Sequence, residues 1–91
     1  MWYIYILRCN DGSFYTGISS DIQKGLLVHN RGKGSKYTRS KRPVELIYAE
    51  ETDTKSQAKK RELEVKALSR ENKKKLIKFG KGRRFPSAHE I

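Results

Sequence analysis

The feature that most constrains this fold is a pair of short apolar segments near the start of the chain, Tyr3–Leu7 and Phe14–Ile18. Both segments are rich in β-branched and aromatic residues, which favour strands. Asn10-Asp11-Gly12 lies between them, and Asp-Gly flanked by such segments is a strong hairpin signal. The sequence therefore predicts two antiparallel strands, the first running from about Met1 to Arg8.

The turn allows two registers, which differ in the face on which the tyrosines lie. A two-residue loop would put Tyr5 and Tyr15 on opposite faces of the sheet. A three-residue loop, with Gly12 as a left-handed bulge, would pair Tyr5 with Gly17. Tyr3, Tyr5 and Tyr15 would then share one face with Gly17, which would leave open space beside the phenols. We favour this second register. The first strand is apolar on both faces, as expected of a central strand.

The charge balance predicts the class of partner. The chain carries 21 Lys and Arg against 10 Asp and Glu, a net charge of +11. A polyanion is the expected partner, because each neutralised phosphate releases counterions. We expect nucleic acid rather than a membrane surface, since no segment pairs an apolar face with a basic one.

The single cysteine and the short apolar run near the start of the chain argue against disulfide-bonded, zinc-binding, secreted and membrane-spanning proteins. A single cysteine, Cys9, cannot form an internal disulfide and makes a zinc site a poor interpretation. The run Trp2–Leu7 is too short for a signal-peptide core or a membrane span. We therefore expect a cytoplasmic protein.

A helix with an unexplained glycine should follow the hairpin. Ser20 is the predicted N-cap of a helix over about Asp21–Asn30, with Gln23 completing a capping box. Gly25 lies in the interior of this helix and costs about 1 kcal/mol relative to alanine. Nothing in the sequence explains this glycine.

The rest of the chain predicts one more strand and two more helices in a single domain at residues 1–80. The strand is expected at Val44–Ala49 and the helices at about Lys55–Ala67 and Ser69–Phe79, ending at Gly80. Residues 81–91 are rich in glycine, arginine, proline and serine, which predicts a flexible basic tail.

One carboxylate interrupts the buried stripe of the second predicted helix. Ala58, Glu62 and Val65 recur at the spacing of a single helix face. Burying a lone acid is unfavourable unless it is paired or holds a metal. Glu62 is therefore either the partner of a nearby lysine or arginine, or a ligand.

The segment Arg31–Arg42 predicts a flexible basic loop that contains one aromatic residue. Its alternative interpretation is a solvated connector. We favour contact with phosphates, because cations outnumber anions locally and the aromatic ring can stack on a base or sugar. With one lysine from the preceding helix, the candidate nucleic-acid-binding residues are Lys24, Arg31, Lys33, Lys36, Tyr37, Arg39, Lys41 and Arg42.

Two tyrosine triplets and one later glutamate carry a family resemblance. Tyr3-Ile4-Tyr5, then Tyr15-Thr16-Gly17, then Glu62 in a later helix resemble the GIY-YIG nuclease domain. In its length and its short sequence segments, this chain most resembles the small single-domain bacterial proteins of that family. Segments such as His29-Asn30 and Lys36-Tyr37-Thr38-Arg39 extend the likeness, which covers about residues 1–77.

The resemblance implies an α+β fold, a three-stranded antiparallel sheet flanked by about three helices. It also implies endonuclease cleavage of phosphodiesters with one divalent ion, Mg²⁺ or Mn²⁺, held by Glu62. Tyr5 and Tyr15 would surround the attacking water, with Tyr5 the better candidate for activating it. His29 falls where some family members place a helper histidine. DNA is favoured over RNA, and no protein partner is identifiable.

Tyr5 needs help to act as a base, because a tyrosine with a pKa near 10 is a weak one unless cations or a metal lower that value. We expect the strongly basic domain to supply that field.

One departure from the family pattern bears on activity. The family's catalytic arginine lies four residues before the histidine, and here that position is Gly25. Three interpretations follow: a metal-dependent endonuclease, a domain of the same fold that binds nucleic acid without cutting it, and a structural basic protein whose tyrosines are core. We favour the first, and Gly25 keeps the second close to it, whereas Glu62 and the clustered tyrosines argue against the third.

Overall fold

The computed structural model describes residues 1–85 as a four-stranded sheet with four helices. In chain order the elements are β1 (Trp2–Arg8), β2 (Phe14–Ser19), α1 (Ile22–Asn30), α2 (Lys36–Arg39), β3 (Glu45–Thr52), α3 (Lys55–Lys66), α4 (Arg70–Phe79) and β4 (Arg83–Arg84). The sheet is antiparallel, in the order β2-β1-β3-β4. The predicted α+β class is confirmed, whereas the predicted three strands and three helices are wrong, because α2 and β4 are additional.

The hairpin adopts the favoured register. Leu7 pairs with Tyr15 and Tyr5 pairs with Gly17. Gly12 has a φ of +84°, in the left-handed region that glycine adopts readily. The side chain of Asp11 accepts from the backbone N–H of Ser13 at 2.9 Å, which closes the turn.

β1 is buried on both faces, as expected for a central strand. On one face, Ile4 and Ile6 pack with Ala58 and Val65 of α3. On the other face, Tyr5 and Leu7 form a second cluster, against which α1 packs through its half-buried apolar side chains Ile22 and Leu26. The sheet therefore separates two cores, and the tyrosines lie on the α1 side.

Side-chain caps begin the three longer helices. Thr54 accepts from the N–H of Gln57 and caps α3, and Ser69 caps α4. The predicted Ser20 cap is wrong, because Asp21 caps α1 by accepting from the N–H of Lys24 at 3.1 Å. A shift of one residue is within the usual ambiguity of helix ends.

The other end of α1 is fastened to the start of β3. Asn30 donates from its side-chain amide to the carbonyl of Val44 at 3.2 Å. Its side-chain oxygen accepts from the N–H of Val44 at 2.8 Å. This pair of bonds fixes α1 over the tyrosine face of the sheet.

The segment predicted as a flexible loop contains a short helix. Ser35 caps α2 and accepts from the N–H of Thr38, which is fully buried. The Thr38 side chain packs inward instead of lying in solvent, and it contacts both His29 and Ser35. Sequence periodicity cannot detect a helix of four residues, because it spans little more than one turn.

β4 lies where the sequence analysis placed the start of the tail. The N–H of Gly82 donates to the hydroxyl of Tyr48 at 2.9 Å, and the N–H of Phe85 donates to the carbonyl of Ile47 at 3.1 Å. Arg84 donates to three nearby carbonyls. Residues 81–85 are thus paired with the sheet. The rest of the predicted tail, residues 86–91, lies outside the described residues.

Within residues 1–85, the helices are all too short and too polar to cross a lipid bilayer.

Candidate functional site

Tyr5 and Tyr15 converge over Gly17 on the α1 side of the sheet. A Cβ atom at Gly17 would lie 2.6 Å from the Tyr5 hydroxyl oxygen and 3.1 Å from Cε2 of Tyr15. Only glycine permits this approach, because real Cβ contacts are longer. The expected open space beside the phenols is therefore not there, since the ring of Tyr5 lies across Gly17.

Three side chains from different elements form a buried hydrogen-bonded chain behind these phenols. The Tyr5 hydroxyl lies 3.0 Å from Nε2 of His29, and Nδ1 of His29 lies 2.8 Å from Oγ1 of Thr38. The exposed fractions of Tyr5, His29 and Thr38 are 4%, 5% and 0%. The sheet, α1 and α2 each contribute one side chain, so this series of hydrogen bonds forms only in the folded state.

One tautomer of His29 satisfies all of these contacts together. When the Thr38 hydroxyl donates to the carbonyl of Ser35 at 3.2 Å, its oxygen accepts from Nδ1–H of His29. Nε2 then carries the lone pair and accepts from the Tyr5 hydroxyl. Thr38 was not among the predicted site residues, although its segment contributed to the family resemblance.

The electrostatic surroundings favour the neutral forms of both groups. Burial raises the pKa of the Tyr5 hydroxyl, and the neighbouring Tyr15 and Glu62 raise it further. Burial lowers the pKa of His29. The expectation that the basic domain lowers the pKa of Tyr5 is wrong, because desolvation and two acidic groups dominate. Near neutral pH, Tyr5 is a protonated donor and His29 a neutral acceptor.

Tyr15 lies between His29 and the surface. Its ring centroid is 4.9 Å from that of His29 and 6.1 Å from that of Tyr37, with which it stacks. Within residues 1–85, the Tyr15 hydroxyl has no hydrogen-bond partner, so it can serve a ligand. Tyr37 is 41% exposed, but the ammonium of Lys41 lies 3.6 Å from its ring centroid. A base stacking on that side would displace Lys41.

Glu62 is largely buried at the inner side of α3. Its side chain is 19% exposed and lies 3.5 Å from Nζ of Lys66, one turn along the helix. The predicted salt-bridge partner therefore exists, and it is itself half exposed to solvent. Glu62 is also near enough to Tyr5 to contribute to the raised pKa of that hydroxyl. In the described part of the chain, there is no group of three acidic, histidine or cysteine side chains that could hold an ion by themselves.

Gly25 lies beside the Tyr5 hydroxyl without being required there. A Cβ atom at Gly25 would lie 3.5 Å from Oγ of Ser19 and 3.8 Å from the Tyr5 hydroxyl oxygen, which are ordinary contacts. A side chain at this position would therefore start next to Tyr5 without steric conflict.

We expect Gly25→Ala to raise the free energy of unfolding by about 0.5 to 1 kcal/mol, because alanine is the better helix former and meets no clash. Urea denaturation followed by far-UV circular dichroism measures the change. Gly17→Ala is the matched control and should be destabilising, since its Cβ would displace Tyr5. A destabilised Gly25→Ala protein would contradict the packing described.

The seven lysines and arginines among the predicted nucleic-acid-binding residues divide into two groups. Those that support the loop are Arg39, Arg42 and Lys41: Arg39 donates to the carbonyl of Gly32 and Arg42 to those of Arg39 and Asn30, while Lys41 pairs with Asp11 at 3.5 Å. Those whose side chains form neither an ion pair nor a hydrogen bond within residues 1–85 are Lys24, Arg31, Lys33 and Lys36, all of them exposed.

Comparison with known proteins identifies the family of this chain. Residues 1–75 match the family model described as the GIY-YIG catalytic domain. A UPF0213 protein of Staphylococcus saprophyticus is 56% identical over 78 residues, covering 86% of this chain and 95% of that protein.

Two solution NMR structures are similar. The UPF0213 protein of Bacillus halodurans is 43% identical with a TM-score of 0.56, covering 86% of this chain and 84% of that one. A protein of E. faecalis is 45% identical with a TM-score of 0.57, covering 84% and 81%.

Proposed function

Because this chain belongs to the GIY-YIG family, we propose that it is a metal-dependent endonuclease that hydrolyses phosphodiester bonds in DNA. One observation carries the proposal. The side chains of Tyr5, Tyr15 and His29 lie together, and the charge of Glu62 acts on the hydroxyl of Tyr5. Phosphodiester hydrolysis needs an activated water and a stabilised phosphate, and these side chains match those needs.

The Tyr5–His29 pair can move a proton without an ionised tyrosine. The Tyr5 oxygen would take a proton from the attacking water while its own proton passes to Nε2 of His29, 3.0 Å away. The proton therefore ends on a histidine, whose basicity suits this role better than a buried phenolate. Thr38 holds the ring in the accepting orientation through Nδ1.

Glu62 fits a divalent ion that keeps most of its water. Mg²⁺ commonly binds through one or two carboxylates and retains several waters, so a single partly buried carboxylate is a suitable anchor for Mg²⁺ or Mn²⁺. When bound, the ion would polarise a phosphoryl oxygen. The ion pair with Lys66 is no obstacle, since Lys66 is half exposed and can turn into solvent.

The exposed cations around α1 and α2 support a nucleic-acid ligand. Lys24, Arg31, Lys33 and Lys36 lie on exposed parts of α1, α2 and the segment between them, and carry no ion pair within residues 1–85. Phosphates compete well for such ammonium and guanidinium groups. DNA is the ligand that we propose, with RNA as the competing substrate in the assay.

Gly25 supports a second candidate function, a domain that binds nucleic acid without cutting it. The position beside the Tyr5 hydroxyl lacks the arginine expected from the family resemblance. A guanidinium there would clamp the phosphate through two hydrogen bonds, which a glycine cannot do.

Nicking of supercoiled DNA separates the two functions. Native protein, Gly25→Arg and Gly25→Ala are compared with Mg²⁺, with Mn²⁺ and with EDTA. We expect slow metal-dependent nicking by the native chain, and a rise of at least about tenfold for Gly25→Arg, because one well-placed donor to the transition state contributes about 10²-fold or more. Gly25→Ala stabilises the helix as Gly25→Arg does but has no guanidinium. It should therefore nick DNA at the native rate.

The other outcomes are equally informative. Nicking by Gly25→Arg alone would support the binding domain over the nuclease. Nicking that persists in EDTA would contradict metal dependence. If neither the native protein nor Gly25→Arg cuts DNA or RNA with either metal, the nuclease proposal fails.

A further inference from the structure

A second basic surface lies away from the tyrosine site, against α4. A cleft of about 610 Å³ opens between α4 and the end of the sheet where β1 finishes and β2 begins. Its charged lining is entirely cationic, comprising Arg8, Arg70, Lys74, Lys78 and Arg84. We refer to it as the α4 cleft. None of these five residues is needed for the chemistry proposed for Tyr5 and Glu62.

The α4 cleft also has an apolar floor. Phe14, Ile47, Ile77 and Phe85 line it between the cations. Phe14 and Ile77 are half-buried side chains that pack on the core. A surface that alternates cations with aromatic rings suits a ligand with both phosphates and planar bases, because every base has a face that stacks.

Two of the arginines are held in place by the backbone. Arg70 donates to the carbonyl of Gly12 at 3.1 Å, and its guanidinium lies 4.7 Å from the ring centroid of Phe14. Arg84 donates to the carbonyls of Lys78, Gly80 and Gly82. A guanidinium has five N–H donors, so both retain donors for a phosphate. Holding them beforehand lowers the entropy lost on binding.

Two lysines of the cleft are available for charge neutralisation. Lys78 has no ion pair within residues 1–85. Lys74 lies 3.8 Å from Glu71, with both side chains more than half exposed, so that pair adds little stability and exchanges readily. Both ammonium groups can therefore turn towards a bound phosphate.

The hairpin turn joins the α4 cleft to the proposed DNA-binding surface. On one side of the turn, Asp11 pairs with Lys41, beside Tyr37. On the other side, the carbonyl of Gly12 accepts from Arg70. The described part of the molecule measures 29 × 27 × 22 Å, so the two surfaces lie within the reach of one short oligonucleotide.

We propose that the α4 cleft binds an unpaired segment of a nucleic-acid strand, with phosphates on Arg70, Lys74 and Lys78 and a base on the apolar floor. The strand would reach the tyrosine site by passing around the hairpin turn. This inference rests on the proposed function in one respect, that the ligand is nucleic acid. It assigns the domain a preference for substrates with a single-stranded part.

Binding in EDTA tests the cleft without cleavage. A fluorescent oligothymidylate of about 12 nucleotides and a duplex of the same length are titrated with native protein, Lys74→Ala/Lys78→Ala and Lys59→Ala/Lys60→Ala. The last is the matched control, with the same charge loss on exposed positions of α3. We expect the Lys74→Ala/Lys78→Ala variant to bind the single strand about tenfold more weakly. The slope of log affinity against log salt concentration should become less negative by about 1.4, since two phosphate contacts are lost. The control should change by less than threefold.

A further variant separates failure of the cleft from failure of the proposed function. Lys33→Ala/Lys36→Ala removes charge from the surface near Tyr37 and should also weaken binding. Equal losses in the Lys74/Lys78 and Lys59/Lys60 variants would overturn the cleft while leaving the nuclease proposal intact. A native protein that binds neither ligand would overturn both. Backbone amide NMR shifts at residues 70–78 on adding the oligothymidylate should confirm the location, and shifts confined to α1 and α2 would overturn it.

Discussion

Glu62→Gln is expected to lower DNA nicking by about 10³-fold or more, because it removes the charge proposed to hold the divalent ion. Losing several kcal/mol of transition-state stabilisation from the ion corresponds to that range. Stability should barely change, since the substitution is nearly isosteric and the pair with Lys66 is partly solvated. Single-turnover nicking and urea denaturation measure the two effects.

Glu64→Gln is the matched control for this substitution. Glu64 lies on the same helix and pairs with Arg61 at 3.3 Å, so the charge change is identical. It should leave nicking within about twofold, because a solvent-exposed pair contributes little. Full activity in Glu62→Gln would assign the nicking to a contaminating nuclease and remove the catalytic role of Glu62.

Tyr5→Phe is expected to reduce nicking by about 10²-fold, because it removes the hydroxyl that relays a proton to His29. It also leaves Nε2 of His29 buried without its donor, which should lower the free energy of unfolding by about 1 to 3 kcal/mol. Both changes are measured below the melting temperature of the variant.

Tyr3→Phe is the control, since Tyr3 lies on the same face of β1 and its hydroxyl has no hydrogen bond within residues 1–85. Nicking equal to native in Tyr5→Phe would mean that the Tyr5–His29 bond is structural only and would contradict the proton relay.

The same pair predicts a pH dependence. His29 must be neutral to accept the proton, and burial lowers its pKa below the ordinary 6.5. The folded state therefore resists protonation of His29 while the unfolded state accepts it. The contribution of this group to stability is complete above 6.5 and is lost as the pH falls through the lowered value. Nicking should decline over the same acidic range, and a constant rate there would contradict the relay.

The hairpin was predictable because its signals are local. Turn chemistry at Gly12 and the alternation of side chains across a strand decide the register within about ten residues. The Thr54 and Ser69 caps follow from the same kind of short-range pattern. Ser20 failed as a cap because the neighbouring Asp21 is equally suited to the role, and the backbone path chooses between them.

The additional elements were missed because neither has a periodic signal. α2 has four residues and is ordered by the buried Thr38, while β4 has two residues and is held by Tyr48 and Arg84. Such elements form because the rest of the fold offers them partners, which propensity does not record.

The sequence by itself determined the family, the tyrosine face of the hairpin and the choice of Glu62, His29, Tyr5 and Tyr15 as candidates. Only the tertiary structure decided that Tyr5 meets His29 across 24 residues of chain, and that burial raises the pKa of Tyr5 against the charge of the domain. The reason is physical: alternation and capping act between near neighbours, whereas hydrogen-bond partners and desolvation depend on which distant surfaces pack together.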